Sequence, residues 1–361
     1  MLVEINLEKE KIKVIQNGSI NGGYKIASFD FDWTLIKPKS NRVFPKDEDD
    51  ISLLFTKQVI KTKLENEIKD GKRIVIFSNQ SGKKAESFRK RAEWFLRQMD
   101  YIPMAFFCSY GDNLNRKPEP GMWSYFSGDQ SVDLKNSFYV GDAAGRKKDF
   151  SCSDRKFAYN IGINFYTPEE YFLGGDRDKN WKWGGINPVS YVLPSYCKEE
   201  EVIFETKPSE IIIMTGLPGS GKSSFVKNNL QDYIVINQDT LKTKEKCLKE
   251  TKLALLAPGD KSIVIDNTNP SPDTRKEYIN LAKRYNYNVR SITMKTEPEL
   301  AKHLTKVRCR INPVKYKPIP KIAFNIYNKK FIKPSIDEGF DQVIDIPLIL
   351  KDPDPKFYMF S

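Results

Sequence analysis

A chain of 361 residues is long enough for two domains of ordinary size, each with its own core. With 39% hydrophobic and 29% charged residues it reads as globular, not disordered, and no apolar run approaches the roughly 20 residues of a membrane span. A formal net charge of +12 favours a polyanionic partner such as nucleic acid. The opening MLVEINLEKEKIK lacks the apolar core of a secretory signal. Five cysteines, odd in number and without a C-x-x-C pair, point to a reducing compartment and away from structural zinc. With His303 as the one histidine, catalysis must run mainly on carboxylates, lysine and arginine.

In chain order, the first clear element is a buried strand over 24–29, followed by Asp30-Phe31-Asp32-Trp33-Thr34-Leu35. Two carboxylates two residues apart at the end of an extended segment face the same way, because side chains alternate along a strand. The pattern D-x-D-x-T suits an aspartyl-phosphate phosphatase: one Asp as nucleophile, the other as general acid/base, with the Thr bracing the turn. A second buried strand, 72–77, ends in Ser78-Asn79-Gln80, where a hydroxyl and an amide can hold phosphate oxygens at the carboxyl edge of an open α/β sheet. Residues 83–98 carry apolar side chains at helical spacing with basic residues between them, an amphipathic helix. A strand over 102–109 leads to Asn115-Arg116-Lys117-Pro118. Lys117 can cancel phosphate charge there, although a lone loop lysine is more often a solvated surface residue. The strand 138–140 runs into Gly141-Asp142, a strand-end carboxylate of the kind that Mg²⁺ prefers, with Asp149 and Asp154 beyond.

Residues 174–208 change character: polar, then Trp181-Lys182-Trp183-Gly184-Gly185, then Pro188, Pro194 and Lys198-Glu199-Glu200-Glu201. This reads as a connecting arm, its tryptophans expected to pack at a domain interface in preference to stacking on bases.

The four apolar residues Ile211–Met214 then precede Gly216-Leu217-Pro218-Gly219-Ser220-Gly221-Lys222-Ser223, which fits G-x-x-x-x-G-K-[ST] at every fixed position. Glycines let successive backbone N–H groups face one phosphate, the lysine neutralises β/γ oxygens, and the serine can ligate Mg²⁺. A helix from Ser224 and a strand over 233–236 lead to Asp239, placed to orient and deprotonate an attacking hydroxyl or else to cap the next helix. A further strand, 261–265, ends in Asp266, where a P-loop fold commonly holds a Mg²⁺-organising acid, and Arg275 opens the following helix. His303 is expected to be a surface or packing residue, not a base, and 324–331 to be core with a basic face.

The segments DFDWTLI, VIFSNQSG, RKPEPGMW, VGDAAGR, KDFSCSDR and TPEEYFL resemble the phosphatase half of the polynucleotide kinase/3′-phosphatase family, a haloacid-dehalogenase-type fold. GLPGSGKSS, INQDTL, VIDNTNPSPDTRKEY and KKFIKPSIDEGFDQVIDIP resemble its kinase half, in its order. The resemblance implies two α/β domains with doubly wound parallel sheets: a phosphatase over 1–195, a linker over 196–208 and a P-loop kinase over 209–361. It implies that Asp30 is phosphorylated, that Asp32 protonates the leaving 3′ oxygen, and that Thr34, Ser78, Asn79 and Lys117 serve the phosphate. It further implies that Asp142 binds Mg²⁺ beside Asp30 and Asp32, with Asp149 as a second acidic ligand or water holder. In the kinase half, Gly216, Gly219, Ser220, Gly221, Lys222, Ser223 and Ser224 are expected to bind ATP. By the same resemblance Ser223 would also serve Mg²⁺, Asp239 would be the base for a 5′-hydroxyl, and the helical lid over 297–312 would supply Arg308, with Arg310 its neighbour. Asp266 and Arg275 are further candidates.

Departures from the family pattern are Trp33 where the wider fold has Gly, which would narrow the mouth of the site, and Gln238 and Lys246 where arginines are frequent. Lys242 and Lys246 would substitute only as point charges, without bidentate geometry. The expected partner is DNA with 3′-phosphate and 5′-hydroxyl termini, with no membrane and a monomer; the family role implies nuclear residence, with the cytoplasm as the alternative. RNA is the alternative substrate, since the choice rests on contacts to a 2′-hydroxyl. A break-end scaffold with one activity lost, and a metabolite phosphatase fused to a small-molecule kinase, are competing readings; the charge disfavours the latter. The phosphopeptide-binding module that begins animal members of the family is not expected.

Overall fold

The computed structural model describes residues 2–18, 24–40, 42–47, 49–111, 113–192, 204–259, 261–312, 314–317 and 319–350. Their contacts divide into two compact units with the boundary between Val189 and Ser190. Most of the expected linker, 196–203, lies outside the described residues, as do Pro194 and the run Lys198–Glu201.

The first unit runs β1 (Leu2–Leu7), β2 (Ile12–Asn17), β3 (Lys25–Phe29), β4 (Ile36–Pro38), β5 (Ile51–Leu53), α1 (Lys57–Lys69), β6 (Lys72–Gln80), α2 (Gly82–Gln98), β7 (Met104–Tyr110), α3 (Gly121–Ser127), β8 (Phe138–Val140), α4 (Ser153–Ile161), β9 (Asn164–Tyr166) and α5 (Pro168–Leu173). Seven strands make one sheet in the order β1-β2-β7-β6-β3-β8-β9. The five from β7 to β9 are parallel. The hairpin β1–β2 is antiparallel and adds to β7 in antiparallel sense. The sheet therefore begins at Leu2, ahead of the strand expected first, and one edge of it is mixed.

Alternation explains why such short apolar runs suffice. Ala27, Phe29, Ile74, Ile76, Met104 and Phe106 enter the core on one face, while Ile26, Val75, Phe77, Ala105 and Phe107 enter the other. A sheet covered on both faces needs apolar residues at every position, which is what IVIF and MAFF supply. Helix α2 presents Phe88, Ala92, Phe95 and Leu96 at helical spacing to the first of these cores.

The second unit runs β10 (Glu210–Thr215), α6 (Lys222–Asn229), β11 (Ile234–Ile236), α7 (Gln238–Leu241), α8 (Lys244–Leu256), β12 (Ile263–Ile265), α9 (Pro272–Arg284), β13 (Asn288–Lys295), α10 (Pro298–Ile311), α11 (Lys321–Lys330) and β14 (Gln342–Pro347). Its five strands pair in parallel in the order β11-β12-β10-β13-β14. In the second sheet, and in the first from β3 onward, the chain starts at a central strand and moves first to one side, then to the other. The reversal lies beside β3 in the first unit and β10 in the second, and the carboxyl ends at such switch points are where open α/β sheets bind ligands. No described helix is long and apolar enough to cross a membrane.

Candidate active sites

In the first unit the tips of β3, β6 and β8 and the loop after β7 converge. Asp30 follows β3, and its backbone N–H donates to Val140 at the end of β8, 2.8 Å, which ties the two tips together. Lys117 is buried, and its ammonium donates to Asp30 Oδ1, Asp154 Oδ1 and the Tyr139 hydroxyl, each at 2.7 Å. Three donors meet three acceptors, so the ammonium is saturated. The lysine expected to be solvated unless functional is thus fixed in the interior. Asn79 holds its backbone on both sides, donating to Lys117 O at 3.0 Å and accepting from Lys117 N at 2.9 Å. Asn79 therefore anchors the Lys117 loop in this arrangement, a different job from the phosphate contact expected of it.

Asp30, Asp142 and Asp154 bring carboxylate oxygens within 4.8 Å of one another. Burial pushes the Asp30 carboxyl up to about 7; Lys117 opposes the rise, and Asp154 and Asp32 add to it. Burial, then Asp154 and Asp30, also drive Asp142 well above the ordinary carboxylate range. Burial works against the charge on Lys117, but Asp154 and Asp30 outweigh it and hold its pKa above the usual lysine value. One lysine does not balance three clustered carboxylates. The cluster has the donor type and the surplus negative charge that suit a hard divalent cation.

Asp149 lies elsewhere. Its carboxylate accepts from the N–H groups of Ala144 and Arg146 and from Arg146 Nε at 2.8 Å, so it closes its own loop. Asp154, in the first turn of α4, occupies the place expected for Asp149 and also accepts from Ala143 N at 3.0 Å. Gly141 explains the G of the GD pair: a Cβ there would lie 2.4 Å from Asp154 Oδ2.

The Asp32 carboxylate is outside the cluster. Its Oδ1 accepts from Arg91 at 3.0 Å and its Oδ2 from Gln80 Nε2 at 2.5 Å. Arg91, on α2, is only 2% exposed, and sequence reasoning misses it among the basic residues of that helix. The signal is its spacing: Phe88, Arg91, Ala92 and Phe95 share one buried face. Ser78 is buried and accepts from Gln80 Nε2 at 2.8 Å. Thr34 is fully buried, and its hydroxyl makes no hydrogen bond among the described residues. Trp33 has φ +58°, a left-handed conformation that explains why Gly is usual there. Its indole N–H donates to Val43 O at 2.6 Å, pinning the loop between β4 and β5.

The tryptophans of the connecting arm pack on residues of the first unit. The Arg155 guanidinium lies 4.0 Å from the Trp181 ring centroid, Trp183 packs edge-on against Tyr159, and Lys182 N donates to Gly145 O.

In the second unit, the loop between β10 and α6 carries Gly216, Gly219 and Gly221 at positive φ. Space as well as backbone demands glycine at 219, where a Cβ would meet Ala301 O of α10 at 2.4 Å. Ser220 is buried within the loop and Ser224 lies in the first turn of α6. Lys222 is buried and folds back on the loop, donating to Gly216 O at 2.9 Å and Leu217 O at 2.8 Å. Burial lowers its pKa to about 8; Asp266 and Asp239 resist the fall and Arg308 promotes it. Asp266, Asp239 and Arg308 therefore all act on the end of Lys222.

Ser223 donates to Asp266 Oδ2 at 2.7 Å, while Asp266 Oδ1 is buried and makes no hydrogen bond among the described residues. An orphaned carboxylate oxygen beside a serine hydroxyl suits a bound cation. Asn237 is the helix cap, accepting from Asp239 N at 2.8 Å, which leaves the exposed Asp239 carboxylate clear of that duty. Arg308 Nε is buried without a hydrogen bond among the described residues, and its guanidinium sits 5.2 Å from the Tyr316 ring centroid. The Arg310 side chain lies outside the described residues.

Arg275 is not at this site. It is fully buried and donates to Glu338, at 2.8 and 2.5 Å, and to the carbonyls of Asn269 and Ile332. Its role is to tie α9 to the segment before β14. Gln238 N donates to Asn267, and Lys242 Nζ donates to Asp239 O at 2.5 Å, a backbone contact. His303 is buried, as expected of a packing residue.

Residues 25–172 match the family model for polynucleotide kinase 3 phosphatase, and residues 211–331 match an AAA domain model. The bifunctional polynucleotide phosphatase/kinase of Schizosaccharomyces pombe is 36% identical over 354 residues, covering 95% of this chain and 85% of that protein. The chain belongs to the bifunctional polynucleotide phosphatase/kinase family. A putative bifunctional polynucleotide phosphatase/kinase of Acanthamoeba polyphaga mimivirus is 38% identical over 363 residues, covering 88% of this chain and 83% of that one. The polynucleotide 3′-phosphatase of Saccharomyces cerevisiae is 31% identical over 211 residues, covering 42% of this chain and 89% of that protein. As a family member the chain is an α/β enzyme with a phosphatase half and a P-loop half.

Proposed function

We propose that this chain heals nucleic-acid breaks, hydrolysing 3′-phosphate ends in a domain over 1–195 and phosphorylating 5′-hydroxyl ends with ATP in a domain over 209–361. The observation that carries the reading is the buried Asp30–Lys117–Asp154 triangle beside Asp142, at the switch point of one sheet, in a chain whose second sheet holds a P-loop at its own switch point.

Asp30 attacks the phosphorus, the P–O3′ bond breaks, and Asp32 delivers a proton to the leaving oxygen. Water then attacks the phosphoaspartate and gives its proton to Asp32, restoring both residues. Ser78 holds a phosphate oxygen, and Lys117 holds another when the phosphate takes the place of one of its present acceptors. Asp30, Asp142 and Asp154 would hold Mg²⁺, which lowers the cost of gathering negative charge there. In the other domain Asp239 takes the proton of the 5′-hydroxyl while that oxygen attacks the γ-phosphorus of ATP and ADP departs. Lys222 and Arg308 bind the transferring phosphate, and Ser223 with Asp266 would hold a second Mg²⁺.

Nicked or broken DNA is the substrate in this reading, and the nucleus its place. The test uses a nicked DNA duplex bearing 3′-phosphate and 5′-hydroxyl, an RNA counterpart, ATP and Mg²⁺, following each end separately. Asp30→Ala should lose only 3′ release and Lys222→Ala only 5′ phosphorylation. Healing of RNA alone would move the substrate to RNA, and healing of neither would favour a break-end scaffold.

A further inference from the structure

Asp32, the proton donor in this reading, has no bond to Lys117 or to the acidic cluster to fix its direction. What fixes it is a closed ring of three side chains. Arg91 NH1 donates to Asp32 Oδ1 at 3.0 Å, Arg91 NH2 donates to Gln80 Oε1 at 2.7 Å, and Gln80 Nε2 donates to Asp32 Oδ2 at 2.5 Å. An arginine has only donors, so it must face the carbonyl oxygen of the Gln80 amide and thereby turns the NH₂ group towards Asp32. The same NH₂ group donates to Ser78 Oγ at 2.8 Å, so Ser78 receives a hydrogen bond there and keeps its own proton to offer a phosphate oxygen. One Asp32 oxygen is engaged by Arg91 of α2 and the other by Gln80 at the end of β6, which fixes the plane of the carboxyl group.

Arg91 makes this ring from the apolar face of α2, at 2% exposure, with its Cζ 5.7 Å from the Phe88 ring centroid. A buried guanidinium is costly unless its partners repay the loss of water, and its partners here are Asp32 and Gln80. Packing alone would have been met by an aliphatic side chain at this position.

We propose that Arg91 is a positioning residue of the 3′-phosphatase: acting through Gln80 and directly, it holds Asp32 aimed at the leaving oxygen. This rests on the assignment of Asp32 as proton donor. The contribution of Arg91 then scales with how much the leaving group needs a proton. In the first half-reaction the Asp30 O–P bond forms, the P–O bond to the leaving group breaks, and the electron pair goes to an oxygen. An alkoxide such as a sugar 3′ oxygen needs the proton from Asp32, whereas p-nitrophenolate leaves without it.

The test compares wild type, Arg91→Met and Arg91→Lys in the full chain, on a 3′-phosphate oligonucleotide and on p-nitrophenyl phosphate. The nitrophenolate burst reports the first step, and 5′ phosphorylation by the same protein serves as the folding control. Arg91→Met should lower kcat on the oligonucleotide by about 100-fold or more, the usual weight of a positioned acid, and change the burst rate less than about tenfold. Arg91→Lys keeps the charge but cannot bridge both partners, and should recover part of the oligonucleotide rate. Equal losses on both substrates, with the kinase intact, would overturn the proposal and make Arg91 a scaffold or phosphate ligand. Unchanged rates on both would overturn it too. If Arg91→Met also loses the kinase, the Arg91→Lys substrate ratio decides: a ratio equal to wild type rejects the role. A wild type with no 3′ release sinks the functional assignment itself, which is a different result from any of these.

Discussion

Asp30→Asn should destroy 3′-phosphate release and yet make the first unit more stable in the absence of divalent cations. Burial raises the Asp30 carboxyl from its ordinary 3.8 to about 7, net of the help from Lys117. Between these two values the folded state binds more protons than the unfolded chain, so stability falls as pH rises through that window and stays at its lower level above pH 7. At about 1.4 kcal/mol per pH unit the full cost of holding Asp30 ionised is about 4 kcal/mol, shrinking to about 1 kcal/mol at pH 4.5. Asparagine keeps the shape and cannot ionise. With EDTA at pH 8, a gain of about 3–4 kcal/mol should raise the melting temperature of a unit this size by roughly 6–15 °C, and by much less at pH 4.5. Scanning calorimetry at both pH values, with and without Mg²⁺, reads this directly. Mg²⁺ should stabilise wild type more than the variant, because its binding recovers the cost that the variant never bears. A variant no more stable than wild type at pH 8 without cation would refute the view that Asp30 is an overcrowded buried carboxylate.

Three further outcomes are expected. Gly141→Ala puts a methyl group 2.4 Å from the Asp154 carboxylate, which Lys117 and Ala143 hold in place. It should cost about 1–3 kcal/mol in urea titrations and abolish 3′ release while 5′ phosphorylation persists, and an active variant would show that Asp154 can move. Asp266→Asn replaces the orphaned carboxylate oxygen beside Ser223 and should raise the Mg²⁺ concentration for half-maximal kinase rate about tenfold or more; an unchanged Mg²⁺ titration removes Asp266 from the cation site. Arg275→Met breaks the buried pair with Glu338 and should cost about 3–5 kcal/mol in unfolding experiments, with the KM for ATP unaltered in the folded fraction. A raised KM with unchanged stability would return Arg275 to the phosphate site.

The parts legible in the sequence are those in which chemistry and backbone coincide. Asp30, Ser78, Asp142 and Asp266 each come just after or at the end of a short apolar run and stand at the tips of β3, β6, β8 and β12, while Lys222 opens the helix that follows β10 and its glycine-rich loop. A run such as IVIF announces a strand buried on both faces, and the next residues in the chain must then lie at the sheet's edge. The parts that escape such a reading depend on where a side chain turns. Asp149 and Asp154 both lie beyond the GD pair on a polar stretch, and only the fold shows that Asp149 turns back on Ala144 and Arg146 while α4 carries Asp154 to Lys117. The hairpin β1–β2 is hidden because charged residues interrupt it: Glu4 pairs with Lys13 on the neighbouring strand and, at long range in sequence, with Arg89 on α2. Arg91 reads, with its basic neighbours, as part of a solvated face, although its spacing from Phe88 and Phe95 places it on the buried one.

The two sites are out of electrostatic balance in opposite directions. In the first, Asp30, Asp142 and Asp154 outnumber Lys117; protons are drawn onto Asp30 and Asp142, and the lysine is held above its usual range. In the second, Lys222 has no carboxylate among the described residues within hydrogen-bond reach, only the carbonyls of Gly216 and Leu217 and the Ser220 hydroxyl, and its pKa falls to about 8. Each site therefore lacks the charge that its chemistry brings. A cation in the first would lower the carboxyl pKa values and release protons; a triphosphate in the second would raise that of Lys222 and take protons up. Proton release on adding Mg²⁺ alone, and proton uptake on adding the nucleotide, are opposite signals from one chain. Lys222→Met should erase the uptake from that lysine, and Asp30→Asn should reduce the release.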